Sequence, residues 1–138
     1  MGEHRSAEEY LARVDPVMGR LIRDVGPCTL TPQSRRPLFE SLVRAIAYQQ
    51  LHAQAAESIL RRFIALCQGR GFPRPEQVLS MPEGPLKDAG FSRAKIAALR
   101  DLAEKTLDGT VPTKRALARM DDEAIVERLT TVRGIGRW

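Results

Sequence analysis

The 138-residue sequence predicts an all-α fold. Glycine and proline divide it into segments in which apolar residues recur every three or four positions, the period of an amphipathic helix. No segment shows the strict alternation of apolar and polar residues that is typical of a half-buried strand. Because 43% of the residues are hydrophobic and 28% are charged, the chain can bury a core. We therefore expect one helical domain over residues 1–138.

Capping signals predict two short helices near the start of the chain. Ser6 and Glu9 have the spacing of a capping box, so a first helix should begin there. Asp15 followed by Pro16 predicts the start of a second helix, because proline is favoured in the first helical turn. This second helix should end at Gly26, where a loop begins.

A pair of longer helices is expected after this loop, and the two should pack together. The first begins at Pro37, and its pattern breaks at residues 49–51. The second should then continue to Gly69. Their apolar faces are formed by Leu38, Leu42, Val43 and Ile46 in the first helix and by Ala56, Ile59, Leu60, Phe63, Ile64 and Cys67 in the second.

The second half of the chain should contain two helical turns followed by three helices. The turns are predicted at 76–79 and 86–89, and Ser92 can cap the helix that follows. Thr113 and Asp121 should cap two further helices. The buried face of the helix after Ser92 is expected to comprise Ile96, Leu99, Leu102, Ala103 and Leu107.

Cysteine usage and hydropathy argue against several classes of protein. Cys28 and Cys67 form no CxxC pair, so neither a disulfide framework nor a zinc site is indicated, and both should be buried. The sequence lacks the roughly 18 consecutive apolar residues of a membrane span, and its start lacks the apolar region of a secretory signal. We therefore expect a cytoplasmic protein with no membrane contact.

The segment after the last predicted helix suggests a phosphate-binding hairpin. Gly134 and Gly136 lie two apart, and glycine lets a backbone approach another chain closely. Ile135 between them can anchor the turn, so that N–H groups near a helix N-terminus face a phosphate. Arg133 and Arg137 flank the glycines, and the net charge of +5 agrees with a nucleic-acid partner. The alternative is a plain glycine turn between two helices.

With these residues in view, the sequence resembles the helix-hairpin-helix DNA glycosylase superfamily, and within it the 3-methyladenine DNA glycosylase II branch. The resemblance extends from Asp15 to Trp138 and is carried by the stretches at 42–56, 90–96 and 129–138. It implies the helical core of that fold, incomplete at its C-terminus, because the chain ends just after the hairpin at 130–137. The expected activity is base-excision repair.

The resemblance implies a monofunctional N-glycosylase that hydrolyses the glycosidic bond of alkylated purines such as 3-methyladenine in duplex DNA. Such an enzyme must extrude the damaged nucleotide, so it needs a phosphate grip, a wedge and a base pocket. By position in the family, the wedge is Gln50, with Leu51 beside it. Trp138 occupies the place of the lysine of bifunctional relatives, so water is the nucleophile and the indole can stack on a cationic base. The alternative for Trp138 is a core aromatic.

The resemblance also implies a monovalent cation, Na⁺ or K⁺, held by the main-chain carbonyls of Thr130, Val132 and Gly134. Such an ion would offset the repulsion between these carbonyl dipoles and a DNA phosphate. No other cofactor is expected. The expected partner is double-stranded DNA with alkylated bases, bound by a monomer at the nucleoid of a bacterium.

The catalytic aspartate of the family follows the hairpin, so it is expected beyond Trp138, and the 138 residues alone should be inactive. Asp121, Asp122 and Glu123 are interpreted as N-terminal groups of a helix. His52 stands where relatives usually have a small hydroxyl residue, and it is interpreted as a cap or surface group. Two alternatives remain open: a non-catalytic, sequence-independent helix-hairpin-helix DNA-binding module, and a helical fragment without independent function.

Overall fold

The computed structural model describes residues 4–32, 35–68 and 70–137, and in these ranges it contains nine α-helices and no β-strand. The predicted all-α fold is confirmed. None of the helices in the described ranges combines the length and the apolar composition that a membrane span requires. The chain divides into two compact units, Met1–Ser34 and Arg35–Trp138. A single domain over residues 1–138 stays a prediction.

The first unit is a pair of helices, α1 (Arg5–Val14) and α2 (Pro16–Val25). The residue between them, Asp15, starts α2 as its sequence predicts. Its carboxylate accepts hydrogen bonds from the N–H groups of Val17 and Met18, at 2.8 and 3.3 Å. These bonds satisfy two donors that have no partner within the helix, which is the usual role of an N-cap aspartate.

Two predictions for the first unit are wrong. Helix α1 begins at Arg5, so Ser6 lies inside the first turn and cannot act as the N-cap of a capping box. Glu9 instead accepts a hydrogen bond from the Arg5 guanidinium at 3.0 Å. Cys28, expected to be buried, is exposed, because the loop after α2 attaches to α1 through its backbone: the Cys28 N–H donates to the Glu8 carboxylate.

The second unit is organised around its longest helix, α7, which packs against α3, α5 and α6. Ser92, Thr113 and Asp121 each accept a hydrogen bond from a backbone N–H of the helix that follows, so all three predicted caps are confirmed. The helices of this unit are α3 (Leu38–Tyr48), α4 (Ala53–Ala65), α5 (Pro75–Ser80), α6 (Glu83–Ala89), α7 (Arg93–Leu107), α8 (Lys114–Leu117) and α9 (Asp122–Thr130).

The core of this unit is formed by apolar faces of α3, α4 and α7. Helices α3 and α4 contact each other as predicted, and the Tyr48 hydroxyl donates to Glu57 across the pair. The Phe63 ring packs edge-on against two others, with centroid distances of 5.9 Å to Phe72 and 5.4 Å to Phe91. Val132, from the segment after α9, is buried in the same core.

One helix end and the burial of two residues differ from the prediction. Helix α4 ends at Ala65, and tighter turns follow as far as Gln68, whose φ of +53° stops the helix. The predicted stop at Gly69 lies outside the described residues. Leu107, expected to be buried, is 48% exposed, because the core contacts of α7 end at Ala103 and the helix continues for one more turn. Cys67, also expected to be buried, is half-buried.

Candidate nucleic-acid interface

The segment after α9 forms a tight turn that is anchored to the core at both ends. Val132 is fully buried, and Ile135 packs against the same cluster, as the sequence predicts. The Ile135 N–H donates to the Val132 carbonyl at 3.1 Å, which closes the turn. Between them, Gly134 has a φ of +83°, the left-handed region that favours glycine. We call residues 130–137 the hairpin.

Helix α7 holds this hairpin through a small polar network. One oxygen of the Asp101 carboxylate accepts hydrogen bonds from the Arg133 N–H at 2.7 Å and from the Lys105 ammonium at 2.9 Å. Lys105 also donates to the Thr131 carbonyl at 2.6 Å. The network therefore binds one backbone N–H and one backbone carbonyl of the hairpin to the same helix. Neither α7 side chain is among the site residues that the sequence predicts.

The network lowers the pKa of Asp101. Burial acts in the opposite direction and would raise the pKa, because it disfavours the charged carboxylate. The hydrogen bonds from Arg133 and Lys105, together with their positive charges, outweigh burial and hold the pKa below its ordinary value of 3.8. The carboxylate is therefore ionised wherever the protein is folded near neutral pH.

The turn between α3 and α4 contains the predicted wedge. Gln50 has a φ of +58°, which non-glycine residues rarely adopt and which costs of order 1 kcal/mol. Its side chain is exposed, and Leu51 beside it is 39% exposed. The His52 Nδ1 atom accepts a hydrogen bond from the Ala55 N–H at 3.3 Å. The interpretation of His52 as a cap is therefore confirmed. We call residues 49–52 the turn.

The structure brings the turn and the hairpin into direct contact, although they lie 85 residues apart in sequence. The Gln49 side-chain amide donates to the Gly134 carbonyl at 2.8 Å. Lys95, in the first turn of α7, donates to the carbonyls of Ala47 and Gln49 at 3.0 and 2.8 Å, and burial lowers its pKa. Helix α7 therefore holds both of the predicted DNA-binding segments.

A stripe along α7 carries these contacts. Lys95, Ala98, Asp101 and Lys105 follow one another at spacings of three or four residues and so lie on one face of the helix. The i, i+4 pair of Asp101 and Lys105 is a signal that the sequence contained. Its partners in the hairpin are set by tertiary packing, so the sequence alone did not reveal them.

The two predicted arginines have different surroundings. The Arg137 guanidinium forms a bidentate ion pair with the Glu123 carboxylate, with both N–O distances at 2.7 Å. This pairing lowers the pKa of Glu123 and raises that of Arg137. Asp121 is the N-cap of α9, as interpreted, whereas Glu123 reaches the hairpin instead. The side chain of Arg133 is exposed.

The proposed cation ligands are partly engaged in hydrogen bonds. The Gly134 carbonyl accepts from Gln49, and the Val132 carbonyl accepts from the Ile135 N–H. Each of these oxygens keeps a second lone pair. The part of the chain that the structure describes contains no cluster of three or more His, Cys, Asp or Glu residues that could hold a metal ion. Trp138, the predicted base-pocket residue, lies outside the described residues.

The Asp101 network should make stability depend on acid pH. Because its pKa is lower in the folded state, the ionised carboxylate stabilises the fold above its ordinary pKa. This contribution is lost progressively as pH falls below the ordinary pKa of 3.8 and through the lower pKa of the folded state. Asp101→Asn keeps an acceptor oxygen and should remove this part of the decline in urea midpoint with pH. The same change at exposed Asp88 should leave the decline in place, and an unchanged decline in Asp101→Asn would contradict the network's role.

The effect of the close approach of Gly134 to α7 can be measured by comparing substitutions at Gly134 and at a glycine of similar φ. A Cβ at Gly134 would lie 3.2 Å from the Ala98 Cβ, whereas one at Gly109, with nearly the same φ of +84°, would meet no atom within 4 Å. Gly109→Ala should cost about 1 to 2 kcal/mol of unfolding free energy from strain alone. Gly134→Ala should cost more and should also weaken DNA binding. Equal stability costs, with equal DNA binding, would show that the contact with α7 does not matter.

Comparisons of sequence agree with this geometry. Residues 43–138 match the HhH-GPD superfamily of base excision DNA repair proteins. The chain is 39% identical over 134 residues to DNA-3-methyladenine glycosylase 1 of Schizosaccharomyces pombe, which covers 96% of this chain and 58% of that relative. It is 33% identical over 137 residues to the alkylbase DNA glycosidase-like protein mag2 of the same yeast, covering 99% of this chain and 64% of mag2.

Two solved structures share the fold. The S. pombe 3-methyladenine DNA glycosylase Mag1, in complex with abasic DNA, superimposes with a TM-score of 0.86 at 38% identity, over 96% of this chain and 65% of Mag1. A DNA-3-methyladenine glycosidase from Bacillus halodurans gives 0.78 at 30% identity, over 93% and 57%. The chain spans about three fifths of the length of these relatives. It belongs to the HhH-GPD superfamily of base excision DNA repair proteins.

Proposed function

We propose that the protein acts in base-excision repair as a monofunctional glycosylase that removes alkylated purines such as 3-methyladenine from duplex DNA. The observation that carries this proposal is the contact between Gln49 and Gly134, which places the turn beside the hairpin. A phosphate grip and a wedge must lie side by side if one protein is to hold a DNA backbone while it extrudes a nucleotide. The names of the relatives agree with this assignment.

In this proposal the hairpin grips a phosphate without reading sequence. Its N–H groups at Gly134 and Gly136 can donate to phosphate oxygens, and glycine allows the close approach. Arg133 adds an exposed positive charge. Arg137 can contribute at little cost, because an ion pair as exposed as that with Glu123 stabilises the fold only weakly. Binding of this kind weakens steeply as salt concentration rises.

The turn supplies the wedge. Gln50 extends from a backbone conformation that is fixed before DNA arrives, so little ordering remains for the binding step. Its side-chain amide offers two donors and one acceptor to the base that loses its partner. Leu51 adds an apolar surface on which a neighbouring base can pack. Backbone strain at an exposed polar residue lowers the stability of the fold, so a functional role of the side chain is the better explanation for it.

The chemical step is hydrolysis of the bond between base and sugar. Alkylation at purine N3 or N7 gives the base a positive charge, and the base departs as a neutral leaving group while positive charge develops on the sugar. Water then adds to the sugar carbon and releases a proton, which leaves an abasic site. We propose that Trp138 stacks on the cationic base. We propose that the catalytic aspartate follows the hairpin, as it does in the family that the sequence resembles, and that residues 1–138 alone release no base.

A monovalent cation, Na⁺ or K⁺, is proposed at the carbonyls of Thr130, Val132 and Gly134. Their free lone pairs are hard oxygen donors of the kind that such an ion accepts. When bound, it would reduce the repulsion between these carbonyls and an approaching phosphate.

The function is tested by release of 3-methyladenine from alkylated duplex DNA. The assay compares the 138-residue chain with a chimera in which these residues replace the corresponding part of S. pombe DNA-3-methyladenine glycosylase 1. Release by the chimera alone is the expected result. A folded chimera that binds DNA but releases no base would favour the alternative, a non-catalytic DNA-binding module. That alternative rests on the presence of both DNA-binding segments within the described residues.

Substitutions of Gln50 should affect the stability of the fold and the recognition of abasic DNA in different ways. Gln50→Gly relieves the positive φ and should raise the unfolding free energy by about 0.5 to 1 kcal/mol. It also removes the wedge, so the preference for a duplex with an abasic site over an intact duplex should fall. Gln50→Ala should lose the same preference without the gain in stability. Retention of the preference in both variants would exclude Gln50 as the wedge.

A further inference from the structure

We propose that Gln49 is a positioning residue that sets the distance between the wedge and the phosphate grip. This proposal rests on the function proposed above. Gln49 itself would not fill the gap in the DNA. It would act through Gln50, which follows it in the turn, and through Gly134, which it contacts in the hairpin.

Gln49 is held at three points. Its backbone N–H donates to the carbonyls of Ala45 and Ile46 in the last turn of α3, at 3.2 and 3.3 Å. Its backbone carbonyl accepts from Lys95 at 2.8 Å. Its side-chain amide donates to the Gly134 carbonyl at 2.8 Å. The backbone bonds place Gln49 relative to α3 and α7, and the side-chain bond connects it to the hairpin.

The hairpin is fixed on its own side by different groups. Asp101 binds the Arg133 N–H, and Lys105 binds the Thr131 carbonyl. Loss of the Gln49 side chain would therefore leave the hairpin attached to α7. The specific loss would be the direct hydrogen bond between the turn and the hairpin. In this proposal that bond sets the distance between the wedge and the phosphate grip, which DNA must match when it binds both at once.

This arrangement separates two kinds of affinity. Binding to intact duplex uses the grip and needs no correct wedge position. Binding to a duplex with an abasic site uses both the grip and the wedge. A loosely held turn must then be ordered at the moment of binding, at a cost in affinity. A side chain that preorganises the turn should therefore affect the preference for a duplex with an abasic site and leave the affinity for intact duplex unchanged.

The test compares affinities of the 138-residue chain for an intact duplex and for one containing a tetrahydrofuran abasic-site analogue. Gln49→Ala should reduce the preference for the abasic duplex about 3- to 10-fold, the value of one hydrogen bond. The salt dependence of binding to intact duplex should stay the same. Ser80→Ala is the matched control, because it removes a side-chain hydrogen bond to a backbone carbonyl in α5 and should leave the preference unchanged.

Gln49→Glu gives an independent readout. Near neutral pH a carboxylate cannot donate and would repel the Gly134 carbonyl, so the preference should fall further than in Gln49→Ala. As pH falls toward about 5, protonation restores a donor, and the preference relative to the parent at the same pH should partly recover. A general structural defect would not recover on acidification.

The outcomes distinguish the two proposals. A parent chain with no preference for the abasic duplex would overturn the proposed function. A clear parental preference that Gln49→Ala retains would overturn only the positioning role. Equal loss of affinity for both duplexes, or no recovery of Gln49→Glu at low pH, would also overturn that role, because it would indicate general damage to the fold. In the Gln49→Ala background, Gln50→Ala should cost less preference than it does in the parent.

Discussion

The polar stripe along α7 is the feature on which the candidate DNA-binding surface depends. One face of this helix is buried in the core, and the adjacent stripe presents Lys95, Asp101 and Lys105 to backbone groups of the turn and the hairpin. Because a packed helix is rigid, α7 fixes the positions of both segments relative to the core. In the proposed function this surface binds a phosphate and extrudes a nucleotide. It is built from two loops, and α7 fixes the position of each.

Two residues with left-handed backbone conformations illustrate how the surface divides its tasks. At φ of +83°, Gly134 lies against Ala98, where a side chain would crowd α7. At φ of +58°, Gln50 is exposed and keeps a side chain despite the strain. The same backbone region thus carries glycine where the chain must approach its support closely. It carries glutamine where, in the proposed function, a side chain must meet DNA.

The sequence predicted most of the fold because helix boundaries are local. Asp15, Ser92, Thr113 and Asp121 cap the helices they were expected to cap. The burial of Leu107 was predicted wrongly because tertiary packing decides it, and this residue lies one turn beyond the last core contact of α7. The capping box at Ser6 was wrong for a local reason, because α1 already begins at Arg5. The motifs located the hairpin and the turn. Their contact through Gln49, and the attachment of the hairpin to α7, follow from pairings between distant residues that no local pattern encodes.

The most direct test of this account is to map backbone amide chemical shifts of the chain by NMR while a duplex with an abasic-site analogue is added. If α7 joins the two segments into one DNA-binding surface, amides of the turn and of the hairpin should shift together along one binding isotherm. The open pocket lined by Thr106, Pro112 and Met120 should remain unaffected. Shifts confined to only one of the two segments, or centred on that pocket, would contradict the account.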